Sequence, residues 1–204
     1  MLFRSLSRKI KLSFHYMMVT IKKGFFFPKS VAIFGPSAKR RYYWIHSLIN
    51  NGYDGAIYPI HPKKSSGAGL PFYKSVFDFK ESIDYAIIAV PARIVPNVLE
   101  KKKKKGIPFV SIFSSGFSEA GQTGKHLENQ IIKISKEYNI AVNGPNCMGI
   151  YCPKSGLAFR TDTSKGASGH VALVSQSGGI AINVVLRGLK QNIAFSKVIS
   201  TGNS

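Results

Sequence analysis

The sequence predicts an α/β fold built on a doubly wound parallel sheet, and three observations carry that reading. Short apolar runs, Val31 to Phe34 before Gly35, Ala56 to Ile60 before His61 and Tyr85 to Val90 before Pro91, suit strands buried on both faces. Helix-length segments separate these runs, giving the strand–helix–strand rhythm of a parallel sheet. Small and basic residues follow each run, at the carboxyl ends of the strands, where ligands bind in such sheets.

Taken in order, Ser30 to Lys39 (SVAIFGPSAK) is a strand, a glycine–proline turn and a helix start, with Ser37 as the expected cap of a helix beginning near Ala38. Unpaired N–H groups at such a start carry partial positive charge and attract phosphate. Arg40 to Asn51 reads as that helix, with Trp44, Ile45, Leu48 and Ile49 on one side and Asn51-Gly52 ending it. The second strand, Ala56 to Ile60, leads to His61-Pro62-Lys63-Lys64 and a loose Ser/Gly loop. Tyr85 to Val90 is the third strand, and Ala92 to Lys105 a helix with Pro96 tolerated in its first turn. Pro108 to Phe113 is the fourth strand, followed by SSGF, a helix over Gly124 to Tyr138, and a short fifth strand, Ile140 to Val142, before GPNC. The loops GPSAK, HPKK, VPAR, SSGF and GPNC therefore share one rim.

Pro153 to Gly169 is polar and glycine-containing and reads as a linker. His170 to Val174 then opens a new strand, SQSGG precedes an apolar helix, Ile180 to Leu189, and Phe195 to Ser200 begins another strand. One strand–helix–strand unit buries too little of its own surface, so residues 170–204 read as the front of a second, truncated domain. The expected division is a basic extension 1–27, a first domain 28–152, a linker 153–169 and a second domain from 170.

The 204 residues are 44% hydrophobic, enough for a sizeable core, and carry a net charge of +20. That charge sits in a tail with no acidic residue before Asp54 and in the block Lys101 to Lys105, whose expected role is a solvated helix end. No stacking signature or finger accompanies it, so no nucleic-acid partner is expected. The longest uncharged run of the tail, Leu12 to Ile21, is about half a membrane span. The expected location is the cytoplasm, or an organelle if the basic tail is a targeting peptide. Two cysteines, Cys147 and Cys152, suit a reducing compartment and give neither a disulfide framework nor a zinc site. A nicotinamide-binding Rossmann domain is disfavoured: GPSAKR lacks the Gly-X-Gly-X-X-Gly spacing, and His61 and Lys63 stand where a ribose-binding acid belongs.

FFFPKSVAIFGPS, IYPIHPKK, DYAIIAVPARIVPNVLE, SSGFSEAG, GPNCMGI and VSQSGG, in this order, resemble the N-terminal part of NDP-forming acyl-CoA synthetases, over about residues 25–204. That family includes ADP-forming acetate–CoA ligase and is related to the succinyl-CoA synthetase α chain. The resemblance implies a Rossmann-like CoA-binding domain followed by the start of a flavodoxin-like ligase domain. It implies that Gly35, Pro36, Ser37 and Lys39 lie against the CoA diphosphate and that Lys63 or Lys64 contacts a CoA phosphate. Val90, Pro91 and Ala92 would line the nucleotide, Phe113, Ser114 and Ser115 the far side of the cofactor, and Asn146 and Cys147 the thiol end. For the Cys147 side chain a small buried residue is the competing reading. Ser175, Gln176, Ser177, Gly178 and Gly179 would hold a phosphoryl group carried by a histidine, against the plainer reading of a helix cap without ligand.

Two departures stand out. The opening loop is shorter than the family's, with Arg40, Arg41 and Tyr42 where flexible glycines are expected. None of the five histidines, His15, His46, His61, His126 and His170, has the context of the phosphorylated one. The expected function is the CoA-binding portion of an ADP-forming acid–CoA ligase, which makes acyl-CoA from acid, CoA and ATP through acyl phosphate and phosphohistidine. ATP and magnesium would belong to the complete enzyme, with the remaining ligase domains or an ATP-grasp subunit as partners. The alternative is a non-catalytic CoA-binding or regulatory module, such as that of a protein lysine acetyltransferase.

Overall fold

A computed structural model of the chain describes residues 23–162 and 166–203. The basic tail with His15 and the side chains of residues 101–104 lie outside what is described. Of the expected extension, residues from Lys23 on are described: a short helix, α1 (Lys23–Phe26), buries Phe26 and packs Phe25 on the core, and Phe27 packs there just after it.

Five strands form the main sheet: β1 (Ser30–Phe34), β2 (Ala56–Ile60), β5 (Tyr85–Ile88), β6 (Phe109–Ile112) and β7 (Ala141–Asn143). Their order is β2-β1-β5-β6-β7 and every neighbour is parallel. The Rossmann-like parallel sheet read from the sequence is present. All five residues of β1, and all four of both β5 and β6, are buried, as a sheet covered on both faces requires. The chain winds from β1 outward to β2 and then returns to β5, so the switch point lies between the carboxyl ends of β1 and β5. A two-stranded hairpin, β3 (Ser66–Gly67) and β4 (Leu70–Pro71), sits in the β2–β5 connection.

The first main helix differs from its expected span. Residues Ala38–Arg40 form a 3₁₀ turn and Ser37 makes no side-chain cap bond. Arg41 and Tyr42 then adopt left-handed φ of 48° and 50°, and α2 begins only at Tyr43, running to Asn50. Trp44, Ile45 and Leu48 are buried as read, whereas Ile49 is 46% exposed and Ser47 takes the inward place. Helices α3 (Val95–Lys105) and α4 (Gln122–Glu137) pack on the β5–β7 side of the sheet, through Leu99, Ile131 and Ile134. Lys105, the one described side chain of the lysine block, lies over the Phe79 ring at 4.6 Å and donates to the Phe79 carbonyl.

A second sheet has the order β8-β10-β9, from β8 (Gly149–Tyr151), β9 (Val171–Ser175) and β10 (Phe195–Ser200), with helix α5 (Gly178–Lys190) packed on it. β10 is parallel to β9 and antiparallel to β8. β8, which the apolar pattern did not mark, crosses from GPNC into this sheet: Ile150 packs in the first core and Tyr151 in the second. The stretch read as a linker is partly core. Leu157, Ala158 and Phe159 are buried because α2 holds their backbone: Ser47 Oγ donates to the Ala158 carbonyl (2.8 Å), Asn51 Nδ2 to that of Arg160 (2.9 Å), and the Tyr43 hydroxyl to that of Phe159. Asn143 joins the sheets from within, donating to Ser111 Oγ (3.2 Å) and to the Ser200 carbonyl (3.0 Å). Among the described residues no helix is long and apolar enough to cross a membrane.

Candidate functional site

The five loops lie along one rim because every strand of the main sheet points the same way. At the switch point Gly35 takes φ +82°, and a Cβ built there would sit 2.8 Å from both the Ala89 carbonyl oxygen and Val90 Cγ1. Only glycine lets the β1 loop close onto the β5 loop. Behind it, Ser37 accepts the backbone N–H groups of Arg40 (3.1 Å) and Tyr42 (2.9 Å) on its carbonyl, folding the loop back on itself. Pro36 is buried, Ser37 half-buried and Lys39 exposed. The groove above Gly35 narrows to a cavity of about 20 Å³ walled by Pro36, Ser37, Tyr43 and Ala89. That volume admits about one water, so a nucleotide-sized ligand must lie along the rim.

Cations gather over this loop. Arg40 stands 5.6 Å from the centre of the Phe113 ring and Lys64 Nζ 5.8 Å from that of Tyr42, both within cation–π range. Neither forms an ion pair with a described carboxylate. After β2, His61 Nδ1 accepts the backbone N–H groups of Lys63 and Lys64, each at 3.1 Å, so the ring fixes the lysine loop. Burial, then the Lys64 and Lys63 charges, push the His61 pKa below its ordinary value and so favour the neutral ring that accepts these bonds. Two cations without a described carboxylate partner, beside a backbone loop reserved for glycine, form a cradle that fits a phosphate ester.

The remaining loops join the first by short contacts. Ser114 Oγ donates to the Val90 carbonyl, the Asn146 N–H to that of Ser114 (3.0 Å), and a Cβ on Gly116 would lie 3.2 Å from that of Ala92. Val90 and Ala92 are half-buried, Pro91 and Ser115 exposed, Phe113 half-buried and Ser114 buried. Asn146 is exposed in a left-handed turn (φ 56°), after the cis Gly144–Pro145 bond. Cys147 points inward at 2% exposure, its thiol 3.5 Å from the carbonyls of Ile112 and Asn143, and burial pushes its pKa up to about 12. A thiol so placed is a packing group, and its side chain does not face the rim.

The Ser175–Gly179 loop ends β9 and opens α5. Ser177 is the cap, its Oγ accepting from Ile180 N at 3.3 Å, and Ser175 Oγ donates to the Ser177 carbonyl at 3.0 Å. A Cβ on Gly178 would meet Met148 Cγ at 2.5 Å, whereas around Gly179 only Ser177 Oγ comes within 4 Å, at 3.9 Å. This loop meets the first rim through residues 201–203. Gln176 Nε2 donates to the Gly202 carbonyl (2.9 Å) and the Asn203 N–H to that of Pro145 (2.9 Å). The Asn203 amide also donates to the carboxylates of Glu119 and Glu128, the latter at 3.3 Å. Burial opposes ionisation of Glu119, but the bonds from Asn203 and from backbone N–H groups outweigh it and lower its pKa.

The ring of Tyr42 as a carrier of Lys64 and the Asn203–Glu119–Glu128 clamp escaped the sequence reading of roles, and Phe113, read as lining the cofactor, also carries Arg40. Tyr42 left one signal, a bulky residue where the resemblance leads one to expect glycine. Asn203 left none, because the carboxylates it clamps are 75 and 84 residues away.

Residues 29–153 match the family model described as a CoA binding domain, and residues 168–204 that of the succinyl-CoA ligase like flavodoxin domain. The chain is 38% identical to the α subunit of ADP-forming acetate–CoA ligase I of Pyrococcus furiosus, over 87% of this chain and 40% of that one. It is 42% identical to the ADP-forming acetate–CoA ligase of Methanocaldococcus jannaschii, over 87% of this chain and 25% of that one. Among solved structures, the dinucleotide-forming acetyl-coenzyme A synthetase 1 of Candidatus Korarchaeum cryptofilum, in complex with phosphate and ADP, superposes with a TM-score of 0.81. It shares 31% identity, covering 89% of this chain and 39% of that one. The chain thus spans well under half the length of these relatives.

Proposed function

The chain belongs to the CoA-binding domain family of ADP-forming acid–CoA ligases, and from that premise we propose that it is the CoA-binding portion of such a ligase. The observation that carries the proposal is the switch-point loop: a glycine that admits no Cβ, in a loop that carries Lys39 and Arg40, with Lys64 against the Tyr42 ring and no described carboxylate to neutralise Arg40 or Lys64. Gly35, Pro36, Ser37 and Lys39 hold the CoA diphosphate, and Lys63 or Lys64 a further phosphate as a point charge. Val90, Pro91, Ala92, Phe113, Ser114, Ser115 and Asn146 flank the nucleotide and the arm that leads to the thiol. Bound CoA supplies the sulfur that takes an acyl group. Cys147 serves as packing beneath that arm, consistent with its burial.

In the same proposal the first domain runs over residues 28–152, and residues 170–204 begin the ligase domain, with residues 175–179 as its phosphoryl-binding loop. The exposed apolar residues Val171, Val174, Ile180 and Val184, along edge strand β9 and on α5, support a continuation that covers them. That continuation, or an ATP-grasp partner, brings the phosphorylated histidine, ATP and magnesium. The buried free thiols of Cys147 and Cys152 favour the cytoplasm as the setting. Calorimetry on the full chain tests the reading. Binding of CoA with a Kd on the order of micromolar, without binding of NAD or NADP, supports it. A folded chain that ignores CoA, or prefers NADP, overturns it.

A further inference from the structure

Tyr42 has a conformation that an ordinary helix start does not need. It holds φ +50°, donates its N–H to the Ser37 carbonyl (2.9 Å) and accepts the N–H groups of Ile45 (2.9 Å) and His46 (3.1 Å). A bulky residue there costs on the order of 1–3 kcal/mol. The backbone so bent carries the ring out of α2 and onto the β3–β4 hairpin. The ring meets Phe72 edge-on at 5.8 Å. A Cβ on Gly67 would lie 2.6 Å from Tyr42 Cζ, so the hairpin strand rests directly on the ring. Three residues before Gly67, Lys64 places its ammonium 5.8 Å from the ring centre, on a side chain that is half-buried.

We infer that Tyr42 is a positioning residue for the anion site: its ring locks the Lys64 ammonium beside the Gly35–Ser37 loop so that a phosphate of the ligand meets a preset charge. The inference rests on the CoA reading and adds to it the residue that ties the second basic loop to the first. A lysine on a free loop gives up rotamer entropy when it binds phosphate, whereas one held over an aromatic face has given up part of it already. Phe113 does the same for Arg40 on the far side of the loop, at 5.6 Å. The ring face, and not the hydroxyl, supplies this function, since the π-quadrupole attracts the cation.

The test is a double-mutant cycle on the full chain with CoA as probe, reading Kd by calorimetry, together with proton NMR of the Lys64 side chain. Tyr42→Phe is expected to bind as the wild type does. Tyr42→Leu is expected to weaken binding about five-fold, and to add nothing once Lys64→Met is present. In the wild type the Lys64 methylene protons are expected upfield, in the ring current of Tyr42, and at ordinary positions in Tyr42→Leu. Additive losses overturn the inference, as does an unshifted Lys64 in the wild type, which decides the matter even if Tyr42→Leu does not fold. CoA binding by the wild type with additive losses rejects the role of Tyr42 alone. A wild type that binds no CoA rejects the proposed function, and this role with it.

Discussion

The Gly35–Lys39 loop and the Ser175–Gly179 loop both end a parallel strand, turn, and lead to a helix, yet they present different things to an anion. In the second, the helix follows at once: Ser177 caps it through Ile180 N, and Gly178 and Gly179 begin α5. The first N–H groups of a helix have no partner inside it, so this loop offers backbone donors on the helix axis. In the first, a 3₁₀ turn and the left-handed pair Arg41–Tyr42 stand between the glycine and α2. The helix therefore starts only at Tyr43, and Arg40 and Lys64 stand against the Phe113 and Tyr42 rings where a helix N-terminus would otherwise follow the turn. On the proposed reading, side-chain charge is the main lever in one loop and backbone dipoles in the other. The first should therefore depend strongly on salt, and the second little.

Opposite effects of one substitution sharpen this contrast most. Gly35→Ala forces a Cβ to 2.8 Å from Ala89 O and Val90 Cγ1 at φ +82°, and is expected to cost about 1–3 kcal/mol and to abolish CoA binding. Gly179→Ala adds its methyl in a helical turn where the nearest group is 3.9 Å away, and is expected to raise stability by up to about 1 kcal/mol. Thermal unfolding of the two variants decides, and equal signs would break the contrast. Next in size, Lys63→Ala with Lys64→Ala is expected to weaken CoA roughly 10- to 100-fold and to flatten the salt dependence of Kd, with the fold intact. Ser177→Ala is expected to cost about 1 kcal/mol by loss of the cap, without changing CoA affinity.

The smallest expected effect is on pH. In the folded chain His61 titrates below its ordinary value of 6.5, because burial and the two lysine charges disfavour its charged form. The unfolded chain then binds the proton more readily, so stability holds above pH about 6.5 and falls as pH drops from there through the folded pKa. Asparagine at this position reaches the same two N–H groups without titrating. His61→Asn is therefore expected to reduce the loss of stability between pH 7 and pH 5.5, read by denaturant unfolding at each pH.

The strands were legible because a sheet covered on both faces demands continuous apolar runs, and Val31 to Phe34 and Tyr85 to Ile88 are such runs, too short for helices and closed by Gly35 and Pro91. The rim followed from the same fact, since parallel strands put their following loops on one edge. What escaped the sequence depends on partners distant in the chain. No glycine or asparagine at 41 and 42 announces the left-handed pair that delays α2, and the hairpin that holds Tyr42 lies 25 residues further on. Leu157 to Phe159 reads as loop because too few apolar residues stand together to show a period, yet Tyr43, Ser47 and Asn51 bind the backbone of this stretch and bury it. Whether Cys147 faced ligand or core was likewise decided by the turn of GPNC rather than by its composition.

Hydrogen exchange across the chain, with and without saturating CoA, tests the central claim most directly. The account predicts slowed exchange in residues 35–42, 63–67, 89–92 and 113–116, with residues 178–190 unchanged. Slowed exchange confined to residues 175–190, or none anywhere, would contradict it.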